Sequence, residues 1–252
     1  MAKKCIFCPQ PANSAEDIWS SWILEELKPS QPIRITRGKI KSEWIDDPRV
    51  RVKCVCKKCN NEWMSDIENE NKPHMLPMIN GKPAVLEPKK QKLLTRWAIL
   101  KAMVIDGSSK SRKPFYDESD RANIKPPLRA IPVGTLTWTG RLAVKSFHVG
   151  VFDTYGEIGN VPKAFHACNT IIIVGHLVIQ VLTMRVLPMF ATGRQVNARC
   201  NPGAWNVNLL DIWPALGDKA WPPAFSFTLK GPREHHIGSL IHRWRIGEDI
   251  TK

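Results

Sequence analysis

The sequence lacks a long apolar run: the longest apolar stretch, Ile171 to Ile179, is broken by Gly175 and His176. It is too short to cross a bilayer, so no membrane partner is expected. No apolar segment follows the first two lysines, Lys3 and Lys4, so no export signal is expected either. Seven cysteines is an odd number, and without an export signal they read as thiols or metal ligands rather than as a disulfide framework. The expected compartment is the cytosol or nucleoid of a bacterium or a phage-infected cell. There is no P-loop, G-x-G-x-x-G, G-x-S-x-G or kinase signature, which leaves nucleotide-driven and acyl-transfer enzymes without support. Internal repeats, heptads and low-complexity tracts are also missing.

What is present is an ordinary globular composition, 43% hydrophobic and 24% charged, over 252 residues. That length suits one large domain or two small ones. The net charge of +14 is unevenly placed. Residues 1–80 hold 13 basic and 11 acidic side chains, whereas residues 81–252 hold 24 and 12. Between Lys82 and Lys145 the count is 14 basic to 5 acidic. Such an excess fits a polyanionic partner, DNA or RNA, although a solvated basic surface that keeps the chain soluble has the same composition.

Local patterns divide the chain. A C-I-F-C knuckle opens it, followed by a helix expected from Ser14 to about Lys28, with Ile18, Trp22, Ile23 and Leu27 inward and Pro29 ending it. Residues 29–50 read as irregular or hairpin-like, and Arg49 to Cys56 alternates as a strand. A second knuckle, C-K-K-C, leads into a short helix capped by Asn60 or Asn61, with Trp63 and Ile67 on one face. Prolines 73, 77, 83 and 88 mark a linker. A helix follows over Lys89–Asp106, ending at Gly107, with Leu93, Trp97, Leu100 and Val104 inside. Beyond it the period falls to two, with strands around Leu136–Trp138 and Phe147–Val151. Thr170–Val174 and Leu177–Leu187 read as a strand pair turning at Gly175-His176. A last helix is expected from Pro232. The class is therefore α+β, with an N-terminal metal module over 1–80 and a basic helix-and-antiparallel-sheet body of unknown role over 81–252.

Cys5, Cys8, Cys56 and Cys59 form two C-x-x-C knuckles. Each knuckle presents two sulfurs from one tight turn, and two knuckles complete a tetrahedral Cys₄ shell for a structural Zn²⁺. Cys54 reads as a spare thiol on the strand, and Cys168 and Cys200 as isolated.

The order C-I-F-C-P, A-E-D-I-W-S-S-W-I, C-K-K-C-N-N-E-W-M resembles the zinc-stapled branch of the HNH (His-Me finger) endonucleases of bacteria and phages, over about residues 5–70. The resemblance implies a treble-clef, ββα-like module and a metal-dependent DNA nuclease carrying a catalytic Mg²⁺ or Mn²⁺. It places Glu16 at the metal-binding acid position and Asn60 at the late His/Asn position. Asp17 stands where the family has its general-base His. An ordinary aspartate, with a pKa near 4, is a weak base at neutral pH. The same residues also have a purely structural reading, Ser14 to Asp17 as a capping box and Asn60 as a cap. His74 lies nearest as a substitute base, while His235 and His242 fall on the last helix. The sequence thus points to an HNH-like zinc protein that acts on or binds DNA, with a degenerate catalytic site, or alternatively to a non-enzymatic zinc scaffold for nucleic acid or protein.

Overall fold

The computed structural model describes residues 3–28, 33–37, 41–45, 51–108, 113–158, 161–186 and 208–229. The helix expected from Ser14 is instead a strand followed by a shorter helix: β1 (Ser14–Asp17) and α1 (Ser21–Leu27). Tertiary pairing overrides helix propensity here, because β1 lies antiparallel to β4 (Arg51–Val55), with Glu16 opposite Val52 and Asp17 opposite Arg51. Ile18 and Trp19 are buried between the two elements, while Trp22 is only half-buried. The capping box at Ser14 does not form.

Residues between β1 and β4 include a hairpin, β2 (Ile33–Arg37) with β3 (Lys41–Ile45). Its first strand pairs in parallel with the long strand β6, Arg34 opposite His148. After β4 the chain turns through a single helical turn, α2 (Lys57–Cys59), and a π-type turn over Asn60–Met64 into α3 (Ser65–Ile79). Cys56, not an asparagine, occupies the cap position. The expected linker at residues 72–79 is helix: Pro73 and Pro77 lie inside α3. Pro73 is exposed and Pro77 half-exposed, on the side away from the buried Ile67, Met75, Met78 and Ile79. Water can therefore reach the carbonyls that the two prolines leave unpaired. The helix stops at Gly81, whose φ of +74° lets its N–H reach the Met78 carbonyl while the Lys82 N–H reaches that of Pro77.

β5 (Ala84–Leu86) leads into α4 (Pro88–Ser108), whose side chains are buried on every side from Leu94 to Gly107. It is the central helix, packed on α3, β4 and three later strands, β6 (Thr135–Ile158), β7 (Val161–Val186) and β8 (Leu209–Trp213). α5 (Glu118–Asn123) is closed by a capping box between Asp117 and Asp120. The two alternating sets near 136–151 belong to one strand, β6 (Thr135–Ile158), paired antiparallel along its length with β7 (Val161–Val186). The expected turn at Gly175-His176 is a bend within β7 instead. Ser146 faces Gly175 and Arg141 faces Leu177, so the extra residues bulge out of β6 and both strands continue. Gly175 has φ +60°, and a Cβ there would lie 2.2 Å from the Ile79 carbonyl at the end of α3, a contact only glycine permits. β8 (Leu209–Trp213) pairs with β6, and β9 (Lys219–Trp221) with β5. The expected last helix, with His235, His236 and His242, and Cys200 lie outside the described residues.

The architecture is α+β, with the cysteine cluster near the N-terminus. Two clusters of buried apolar side chains form the core: one includes Cys5, Trp97 and Trp221, the other Leu142, Ile171 and Phe227.

Candidate metal centre and adjoining cleft

The backbone brings the two knuckles together. Ile6 donates its N–H to the Cys54 carbonyl, and the Lys57 N–H binds Asn13 Oδ1 at 2.9 Å. Phe7 packs edge-on against Trp63, with ring centres 5.0 Å apart. The four ligand sulfurs all lie within 4.8 Å of one another, with Cys8–Cys56 at 3.5 Å and Cys8–Cys59 at 3.7 Å. A tetrahedral zinc tetrathiolate with Zn–S of about 2.3 Å has sulfurs about 3.8 Å apart, so the tetrad has the size to hold such an ion. Cys5, Cys56 and Cys59 are buried and Cys8 is half-buried. Burial pushes the Cys5 and Cys59 thiols upward. Cys56 is held down in spite of its own desolvation, by hydrogen bonds from the Cys59 N–H and the neighbouring thiols. Cys54 does not join the tetrad: its thiol faces the Val104 carbonyl of α4, 3.7 Å away, and burial pushes it up to about 12.

Beside the tetrad lies an open cleft of about 290 Å³, lined by Glu16, Asp17, Ser20, Asn60, Asn61 and Glu68 among others. Glu16, Asp17 and Asn60 therefore do meet at one concave place. Each is already engaged. Lys101, almost wholly buried on α4, donates to Glu16 Oε1 at 2.7 Å, to Glu68 Oε1 at 2.6 Å and to the Asp17 carbonyl at 2.9 Å. An ammonium has three protons, and all three are used. Desolvation alone would depress this amine, but the charges of Glu16 and Glu68 outweigh it and hold the amine well above its ordinary range. Burial pushes Glu16 upward, with Lys101 opposing. Asp17 Oδ1 accepts from Arg51 Nε at 2.9 Å, and Asn60 Nδ2 donates to Ser14 Oγ at 3.0 Å. Ser20, which borders the cleft, has a buried hydroxyl with no partner among the described residues. His74 does not approach these groups; it lines a separate depression with Pro77, Val85 and Lys90.

No protein-family model, curated protein or solved structure matches the chain.

Lys101 and Glu68 are the members that the sequence motifs do not include. Lys101 left one trace in the sequence. It follows Trp97 by four residues, on a helix whose neighbouring positions are apolar, and a lysine on such a stripe must find carboxylates inside the fold. Part of the charge of the basic segment 82–145 is used inside the fold. Lys90, Arg96, Lys101, Arg121 and Arg129 are all in ion pairs with carboxylates.

Proposed function

We propose that this protein is a zinc-stapled, HNH-like scaffold that binds nucleic acid and does not cleave it by the metal-dependent route. The observation that carries the reading is Lys101. In a one-metal nuclease a divalent ion neutralises the scissile phosphate and leaving oxygen, held by an acid and a late His or Asn. Here the acid at that position, Glu16, is capped by a tethered ammonium that also takes up Glu68 and the Asp17 carbonyl. A divalent ion on Glu16 would stand against a buried positive charge. The base position is filled by Asp17, and its carboxylate is bound to Arg51.

Zinc is the metal that best fits four thiolates in paired knuckles. A knuckle, an antiparallel β1–β4 pair and a helical turn opening on the second ligand pair follow the order of a treble clef. The four thiolates would supply structure only, because no coordination position remains for substrate or water. The chain's +14 charge supports a polyanionic partner.

The test is incubation of the purified, metal-loaded protein with plasmid DNA and Mg²⁺ or Mn²⁺. Retardation at low salt without nicking is the expected result. Nicking that Glu16→Ala abolishes overturns the binding-only reading, and absence of any binding to DNA or RNA at low salt overturns nucleic acid as the partner.

A further inference from the structure

The segment with the largest basic excess has five of its fourteen cations in ion pairs with carboxylates, and it carries five acidic residues of its own. The segments that build the tetrad differ. Residues 3–13 and 51–61 contain six basic residues and no acidic one. Arg51 is spent on Asp17. The other five, Lys3, Lys4, Lys53, Lys57 and Lys58, are exposed, and none pairs with a carboxylate among the described residues.

These five residues lie on the two segments that build the tetrad, and the Lys3 ammonium also reaches the Gly107 carbonyl at the end of α4, 3.4 Å away. Lys3 and Lys4 precede Cys5, and a backbone bridge joins Lys4 to Pro11 while the Ala12 N–H reaches the Lys3 carbonyl. Lys57 and Lys58 stand between Cys56 and Cys59, with the Lys57 N–H tied to Asn13. Lys53 adjoins Cys54, whose carbonyl receives Ile6 of the first knuckle. Five exposed lysines thus stand within a few residues of the four cysteines in sequence. They outnumber even the two net negative charges of a zinc tetrathiolate. None of the large exposed apolar side chains of the described residues (Val85, Leu128, Val133, Val144, Leu216, Phe225, Leu229) lies on these segments. A membrane-surface site needs apolar groups to insert beside its cations, whereas a phosphate backbone needs only the cations.

We infer that the knuckle face, through Lys3, Lys4, Lys53, Lys57 and Lys58, is the surface that lies along the phosphate backbone of a nucleic acid duplex, and that the exposed lysines of the α4 end do not. This inference rests on the nucleic-acid reading of the previous subsection. Contacts of this kind hold the duplex by charge and carry no base information.

The experiment measures fluorescence anisotropy of a labelled 30-base-pair duplex from low to moderate salt. It compares the wild type, a Lys53→Glu/Lys57→Glu/Lys58→Glu variant, its Lys→Gln counterpart, and a Lys82→Glu/Lys89→Glu/Lys92→Glu control, each checked for metal content and circular dichroism. The knuckle variants should lose about tenfold or more in affinity, and the slope of log K against log salt should fall by about 2.7, the share of three phosphate contacts. The control should keep the wild-type slope. Unchanged affinity and slope in the Gln variant, or a larger loss in the control, overturns the knuckle face while leaving nucleic-acid binding intact. A wild type that fails to bind at low salt overturns the function itself.

Discussion

The cysteine tetrad and the Lys101 cluster sit side by side at the base of β1 and β4, and both collect electron-rich ligands into a small volume. They complete themselves in opposite ways. The tetrad gathers four sulfurs within 4.8 Å of one another and could hold an ion from solution. The carboxylate cluster brings its own cation on a neighbouring helix, with all three ammonium protons placed. Closeness of acidic ligands therefore does not by itself make a metal site; what matters is whether the fold already supplies the positive charge.

That comparison can be broken most decisively at the tetrad. Cys59→Ser should abolish stoichiometric metal binding and unfold the N-terminal segment, since a structural zinc contributes about 10–16 kcal/mol of apparent binding energy to such modules. Metal analysis with chelator-dependent thermal melting reads this out. If the variant keeps its metal and its melting temperature, the tetrad is not a structural centre.

The next effect belongs to Lys101. Lys101→Met leaves Glu16 and Glu68 facing each other without a cation and should cost about 3–5 kcal/mol at neutral pH. The sign with pH follows from the pKa directions. In the wild type the Lys101 amine sits above its ordinary 10.5, so its contribution is full below that value and lost as pH rises past it. Burial raises the Glu16 carboxyl above 4.5, so the cost of ionising Glu16 is present at neutral pH and is relieved as pH falls toward that value. The deficit of Lys101→Met should therefore shrink on acidification. Urea denaturation at pH 5 and pH 8 measures it, and a deficit that grows toward pH 5 contradicts the assignment of charges.

Gly175→Ala should follow at roughly 2–3 kcal/mol, from a left-handed backbone and the clash with the Ile79 carbonyl. It touches neither cluster, so metal content should stay at wild-type level. The smallest effect is expected at the rim of the cleft. Arg51→Ala breaks an exposed pair with Asp17 and should change stability by less than about 1 kcal/mol. A larger loss, read by the same denaturation experiment, would mean that Asp17 takes part in the buried cluster rather than bordering it.

The tetrad was legible because C-x-x-C spacing is a local constraint that survives without knowledge of the fold, and α4 because its length and apolar content leave few alternatives. The errors came where a distant partner decides conformation. Ser14 to Asp17 carries a helix-capping pattern, yet β4 takes it as a strand. Pro73 and Pro77 read as breakers, yet their spacing of four places both on the outer side of α3. Gly175-His176 looks like a hairpin turn, but β6 runs alongside and carries both halves onward. Glu16 and Lys101 are 85 positions apart, and no local pattern reports that they meet.

The hairpin β2–β3 lies between the two knuckles in sequence but joins its sheet through β6, where Arg34 meets His148. On the ribosome, then, the last metal ligand emerges long before either Lys101 or the β6 strand. Metal capture is open to a nascent chain of some sixty residues, while β2 must wait for its neighbour and Glu16 and Glu68 for their ammonium. A chain stalled in that interval would expose the open edge of the β2–β3 hairpin and two uncompensated carboxylates beside the cysteine tetrad. The order of synthesis thus lets the four cysteines come together before the sheet can close.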